Sequence, residues 1–201
     1  MPAPVALLLA AGFSTRFGSD KLLVPLAGGV PMAVAACRRY QAAGLVVHAL
    51  VRPEQEALRD LLADAGAIVH VADACRAGIG SSIAAGVGAT AAAGGWIVGL
   101  ADMPFVSVAT IAAVRVAVDN GAAVAAPLVA GRRGHPVGFA PHCGESLRRL
   151  SGDEGARHLV QAAGENLTLI TSSDEGALRD IDRPDDLFGM VNDSDISGPS
   201  P

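Results

Sequence analysis

Residues Pro4 to Ala10, PVALLLA, are apolar at every position and run straight into a glycine-bearing loop. A strand with one wet face alternates apolar and polar side chains. A strand apolar on both faces belongs in the middle of a sheet covered on both sides. Such a sheet needs helices above and below it, and the rest of the chain supplies them in alternation. Pro31 opens a helix to about Ala43, closed by Gly44. Leu45 to Val51 reads as a strand. Pro53 to Ala65 reads as a helix with Glu54 and Glu56 near its start and Gly66 past its end. Ala67 to Ala72 is a third strand. After the loop 73–80, Ser81 or Ser82 caps a helix to about Ala93. Trp96 to Ala101 is a strand ending at Asp102, and Ser107 caps a helix to about Val118.

Ala122 to Leu128 and Pro136 to Ala140 are strands joined through residues 130–135, as a hairpin or crossover at the sheet edge. Helical patches at 144–150 and 155–163 precede a short strand, Leu167 to Thr171. Asp185 to Val191 closes the fold. The alternation predicts one α/β domain over residues 1–191, a Rossmann-like three-layer sandwich with a mainly parallel sheet. Residues 192–201 are polar and read as a disordered tail.

Composition narrows the functional classes. The 201 residues suffice for one sizeable core, which must be aliphatic because only 3% are aromatic. A net charge of -5 argues against a nucleic-acid surface. Three cysteines far apart, with no C-x-x-C pair, suggest reduced thiols. The first apolar run is short and has no basic leader, and no uncharged run is long enough to span a membrane. A soluble cytoplasmic protein is expected.

Five segments carry polar chemistry. In an open sheet, ligands bind outside the carboxyl ends of the strands, and the loops 11–21, 73–82 and 102–104 all follow strands. The first loop holds Ser14, Thr15, Arg16 and Lys21. It is not a Walker A loop, since the glycine-to-lysine spacing differs and no hydroxyl follows Lys21. It is either a solvated connection or a cradle for a polyanion. Asp102, at the end of a buried strand, either caps the next turn or holds a divalent cation over phosphate oxygens. Asp180 and Asp182 lie on one face if extended, as a cation site, or else Asp182 or Asp185 caps a helix with an acidic first turn. Gly78 to Ser82 is either an N-cap or a close approach to a base or ribose. Arg132, Arg133 and His135 form a hairpin tip or receive an anionic second substrate. His48, His70, His142 and His158 have no metal-ligand spacing and read as structural.

Together these segments resemble the nucleotidyltransferases of the molybdenum cofactor group. LAAGFSTRFGSDKLL is similar to their signature L-A-A-G-x-S-x-R-x-G-x-x-K. Ala10-Ala11-Gly12 resembles the cytidylyltransferase branch, whereas the guanylyltransferase branch usually has Gly at the position of Ala11. GIGSS, ADMP, GRRGHPVGF, GDEGARHL and DIDRPDDL resemble the same branch in the same order, from about Val5 to about Leu187. Ala101 stands where Gly is common, and Arg183 where Thr is common; neither change removes a ligand.

The resemblance implies the nucleotide-diphospho-sugar transferase type of fold and Mg²⁺-dependent transfer of CMP from CTP to the terminal phosphate of the molybdenum cofactor, with release of pyrophosphate. It implies Arg16, Lys21 and Asp102 as catalytic residues. Leu9, Ala10, Ala11, Gly12, Ser14, Arg16, Lys21, Gly80, Ser81 and Ser82 would bind the nucleotide, Asp102 and Asp182 the metal, and Arg132 and His135 the acceptor. A molybdenum hydroxylase would be the client. Three other readings remain open on the residues: a guanylyltransferase, a sugar- or alcohol-phosphate nucleotidyltransferase, and a non-catalytic carrier of the cofactor. The retained Arg16, Lys21 and Asp102 speak against a carrier, which needs no triphosphate clamp.

Overall fold

The computed structural model describes residues 2–13, 17 and 20–187. The expectations for Ser14, Thr15, Arg16, Gly18 and the tail from 192 onward lie outside the described residues. Eight strands form one sheet: β1 (Val5–Leu9), β2 (Val47–Val51), β3 (Ile68–Val71), β4 (Trp96–Leu100), β5 (Val124–Val129), β6 (Arg132–Arg133), β7 (Val137–Phe139) and β8 (Leu167–Ser172). β1 lies between β2 and β4, parallel to both, with β3 parallel to β2. β7 is antiparallel to β4 and to β5, and β8 runs parallel along β5. β6 is antiparallel to β5, so the sheet is mostly parallel with two reversed strands, β6 and β7, and all described elements form one α/β unit.

Alternation along β1 explains the three layers. Ala6, Leu8 and Ala10 belong to one core cluster and Leu7, Leu9 and Ala11 to the other. The first cluster is completed by α1 (Met32–Ala42), α2 (Glu56–Asp64) and α4 (Val108–Asp119). The second is completed by α3 (Ile79–Ala89), α5 (Gly144–Arg148) and α6 (Arg157–Ala162). Leu7 and Leu8 are fully buried on opposite faces, and each such side chain stabilises the fold by about 1.5–3 kcal/mol. A one-residue slip of β1 would exchange the two faces against cores that are both closed.

Two local expectations need correction. The pair β5 and β7 is not at the sheet edge. All three residues of β7 are buried, and the edge is β8, which has no buried residue. The short apolar sequence of β7 reflects burial between β4 and β5. Neither Ser81 nor Ser82 caps α3: the cap position is Gly78, with φ 117°, and the helix is already running at Ile79. Ser82 instead returns its hydroxyl to the Gly78 carbonyl at 3.0 Å. Ser107 does cap α4, accepting from Thr110 N at 3.1 Å. Close helix–sheet approach depends on Gly99 of β4, whose missing Cβ leaves room for the buried Tyr40 ring.

Candidate active site

The site begins where β1 ends. Ala10 N still donates to Leu50 O at 3.0 Å, and beyond it the chain leaves the sheet. Its carbonyls are then taken up by side chains from the start of α2. Gln55 Nε2 donates to Ala10 O at 3.1 Å and to Asp20 Oδ2 at 3.3 Å. Arg52 Nη2 donates to Gly12 O at 3.3 Å, and its guanidinium covers the Phe13 ring at 4.0 Å. Both ends of the opening loop are therefore tied to one buried glutamine. Asp20 also accepts from Leu22 N at 3.2 Å, which starts the 3-10 turn Lys21–Leu23 and sets the direction of Lys21.

Lys21 is buried, and its Nζ lies 2.9 Å from both Asp102 Oδ2 and Asp182 Oδ1. Burial alone lowers the lysine pKa, but the two carboxylates outweigh it, first Asp102 and then Asp182, and the net shift is upward. Lys21 is charged at any pH the protein meets. Asp102 follows β4 directly, and its carbonyl accepts from Ile181 N at 3.0 Å, which carries the segment 180–182 to the same place. Asp186 holds that segment bent, accepting from Asp182 N at 3.0 Å and Arg183 N at 2.8 Å. Asp180 lines a separate recess with Arg132, Arg133 and His135.

A cavity of about 310 Å³ lies above this cluster, at the carboxyl ends of β1, β3 and β4. Leu9, Ala11, Gly12, Lys21, Ser82 and Asp102 line it, together with Phe13, Cys75, Gly78 and Asp153. The loops expected to share one edge of the sheet do share it. Gly80 and Ser81 face elsewhere: Gly80 N donates to Gly152 O at 2.8 Å, and Ser81 Oγ accepts from Gly152 N at 3.2 Å. They brace the segment 151–153 over the start of α3. A Cβ on Gly78 would fall 2.6 Å from the Gly152 backbone, so this approach requires glycine. Burial pushes the Cys75 thiol up, which keeps it protonated and unreactive.

A second cavity of about 300 Å³ adjoins the first through Leu9, Ile79, Leu100 and Asp153. Arg133, His135 and Arg157 line it. Arg132 does not; it lines the recess with Asp180. Burial holds His135 below the ordinary histidine range, opposed by the negative charge of Asp102, so the ring is neutral at pH 7. Its Nδ1 is buried with no hydrogen-bond partner among the described residues.

Sequence reasoning singled out none of Arg52, Gln55, Asp153 and Arg157, and of the two arginines at 132 and 133 the resemblance assigned the acceptor to Arg132 where Arg133 lines the second cavity. Gln55 had no readable signal, because a glutamine at a helix start looks like any solvated residue. Arg133 lay within the recognised GRRGHPV segment, but strand pairing decides which arginine faces which cavity.

The two carboxylates suit a divalent metal. Asp102 and Asp182 direct one oxygen each at a single cationic point, now held by the Lys21 ammonium. Mg²⁺ and Mn²⁺ take one or two such carboxylates and complete their shell with phosphate oxygens and water. No group of three or more ligating side chains occurs among the described residues, so substrate oxygens would complete the set. Among the described residues no helix is long and apolar enough to cross a membrane.

The chain is similar to known proteins over most of its length. The chain is 30% identical to the purine catabolism protein PucB of Bacillus subtilis (strain 168), over 94% of this chain and 96% of that protein. The crystal structure of Rv0371c from Mycobacterium tuberculosis H37Rv superposes with a TM-score of 0.79 at 24% identity, covering 92% of this chain and 96% of that one. The same mycobacterial protein in complex with manganese superposes with a TM-score of 0.71 at 25% identity, covering 85% and 88%. Residues 6–167 match the MobA-like NTP transferase domain, and the chain belongs to that family of nucleotidyltransferases.

Proposed function

We propose that this protein transfers CMP from CTP to the terminal phosphate of the molybdenum cofactor, with Mg²⁺, releasing pyrophosphate in the cytoplasm. Residues 1–191 would act as one transferase domain, with 192–201 outside it. The observation that carries the reading is the buried Lys21 ammonium held between Asp102 and Asp182 in the wall of the first cavity, which adjoins a second through Leu9, Ile79, Leu100 and Asp153. One cavity suits a nucleotide, the other an acceptor, and the reacting phosphorus would lie between them.

CTP enters with its base against Leu9, Ala10, Ala11 and Gly12. Ala11 is buried and lines the cavity, and its methyl group takes space that a purine would need, which favours a pyrimidine. Ser82 borders the same space, while Gly80 and Ser81 support the wall from behind. Ser14, Arg16 and Lys21 bind the triphosphate. In doing so Lys21 exchanges the two carboxylates for phosphate oxygens and leaves Asp102 and Asp182 to hold the cation. The metal, when bound, neutralises charge on the α-phosphate and the leaving pyrophosphate. The recorded manganese complex of the mycobacterial relative supports a divalent metal of this kind.

The acceptor approaches past His135, with Arg132 near its entry. An oxygen of its terminal phosphate forms the new bond to the α-phosphorus, and the bond from that phosphorus to the bridging oxygen breaks. Pyrophosphate departs with that electron pair. The acceptor phosphate is already ionised, so no side chain must remove a proton. Catalysis is positioning plus charge neutralisation. The client would be a molybdenum hydroxylase; the name of the Bacillus relative, a purine catabolism protein, fits a client that oxidises purine rings.

The test is pyrophosphate release from CTP, GTP and ATP in parallel, with Mg²⁺ and molybdenum cofactor. CTP should be turned over fastest, and chelation of the metal should abolish release. Preference for GTP would overturn the base assignment. Release only with a sugar or alcohol phosphate would overturn the acceptor.

A further inference from the structure

His48 and His70 are 22 positions apart, and no local motif links them. Strand pairing brings them together. His48 lies in β2 beside Ile68, and His70 lies in the edge strand β3 beside Leu50, so all four share one face of the sheet. On that face Leu50 is buried in the second core cluster, where α3 reaches it: a Cβ on Gly86 would fall 3.1 Å from Leu50 Cδ2. The two histidines are less covered. Both are half-buried, and their apolar neighbours Val46 and Ile68 are exposed at 56% and 49%. The rings are 14° from parallel, and His48 Nδ1 stands 2.8 Å from His70 Nε2. Neither ring lines the first or the second cavity.

We propose that His48 and His70 form a binding site for a borderline transition-metal ion, Zn²⁺, Ni²⁺ or Cu²⁺, with His48 Nδ1 and His70 Nε2 as the two ligands from the chain. The hydrogen bond between these nitrogens uses one proton, so one ring donates and the other accepts. In the metal site the ring that carried this proton holds it on its other nitrogen, and both lone pairs face the ion with no net change in protonation. Imidazole nitrogens lie about 2.0–2.1 Å from such an ion, and two of them subtending about 90–110° there are roughly 2.9–3.4 Å apart. The observed 2.8 Å is close to that spacing, and small ring rotations turn the lone pairs toward a shared point. Donor chemistry separates this pair from Asp102 and Asp182: oxygen donors suit Mg²⁺ and Mn²⁺, whereas imidazoles suit Zn²⁺, Ni²⁺ and Cu²⁺. No third His, Cys, Asp or Glu joins the two rings among the described residues, so water completes the shell and the ion is exchangeable. It would tie β3 to β2, the one strand partner of β3 among the described residues.

The test uses metal salts alone on the whole protein, without nucleotide. With less than one equivalent of Cu²⁺, electron paramagnetic resonance should show coupling to two imidazole nitrogens. The double variant His48→Gln, His70→Gln should lose that coupling, and the double variant His142→Gln, His158→Gln should keep it. In calorimetry, His48→Gln or His70→Gln alone should weaken Ni²⁺ binding by about 10- to 100-fold, the scale reached even by groups that only orient metal ligands. Ni²⁺ at about 100 times its Kd should raise the wild-type melting temperature by about 5–10 °C and leave His48→Gln, His70→Gln unmoved; a metal-free melt of each variant shows that it folds. A copper spectrum with oxygen donors only, which would put the ion on Asp102 and Asp182, would overturn the proposal. So would the same nitrogen coupling in His48→Gln, His70→Gln, or equal Ni²⁺ affinity in the single variants. None of these outcomes bears on nucleotide transfer.

Discussion

Lys21 and Asp182 are 161 positions apart in sequence, and Lys21 Nζ donates to Asp182 Oδ1 at 2.9 Å. The contact joins the first loop of the chain to the last described segment and closes the site between them. Two carboxylates facing one point repel each other, and the ammonium between them cancels that repulsion. A metal cation bound at the same point would do the same.

Lys21→Met removes both the phosphate contact and that cancellation. Transfer should fall by about 10²–10³-fold, the scale of one lost charge-stabilising donor, while the melting temperature stays within about 5 °C. Steady-state pyrophosphate release and a thermal melt on the same preparation check both. A variant that is stable and turns over at the wild-type rate removes Lys21 from the mechanism.

Gln55→Leu keeps the volume of the side chain and deletes its bonds to Ala10 O and Asp20 Oδ2. The Ala10 carbonyl is then buried without this donor, at a cost of about 1–3 kcal/mol. The nucleotide loop should loosen, raising the KM for CTP more than it lowers kcat. Unchanged nucleotide affinity by calorimetry would show that Gln55 does not organise the loop.

Gly99→Ala directs a methyl group into Tyr40: the added Cβ would fall 1.9 Å from the hydroxyl and 2.3 Å from Cζ. With Tyr40 fully enclosed, overpacking should destabilise the fold by about 1–3 kcal/mol or more. The double variant Gly99→Ala, Tyr40→Leu should recover part of this loss in chemical denaturation. Additive losses in the double variant would refute the steric account.

His48 and His70 stack at 5.1 Å between ring centroids and share a hydrogen bond of 2.8 Å. Burial lowers the pKa of both below 6.5, and for His48 the neighbouring His70 adds to this. The unfolded chain therefore binds more protons than the folded one as pH falls through about 6.5 and on to the lowered values. Stability should be level above about pH 7 and decline toward pH 5, and His48→Gln with His70→Gln should flatten that decline. An equal decline in the double variant would assign it to other groups.

Much of this was legible in the chain itself. PVALLLA called for a doubly covered strand, and β1 lies at the sheet centre with a closed core on each face. Asp102 follows a buried strand directly and lines the first cavity, as its position at a strand carboxyl end leads one to expect. The error over β5 and β7 has a plain cause. Turn chemistry shows that two strands are antiparallel neighbours, but only the pairing of β4 with β7 and of β5 with β8 decides what lies outside them. The serines near the start of α3 are not its caps because the helix already runs at Ile79, before either of them, with Gly78 in the cap position.

By itself the sequence determined the layer order, the loops that carry polar chemistry and most of the side chains that meet there, since these follow from local patterning. The tertiary structure alone decided that Lys21 sits between Asp102 and Asp182, that Gln55 ties Ala10 to Asp20, and that Arg157 rather than Arg132 borders the second cavity. Those relationships join residues far apart in sequence. They are set by strand register and by which face of a helix is buried, and no local pattern encodes either.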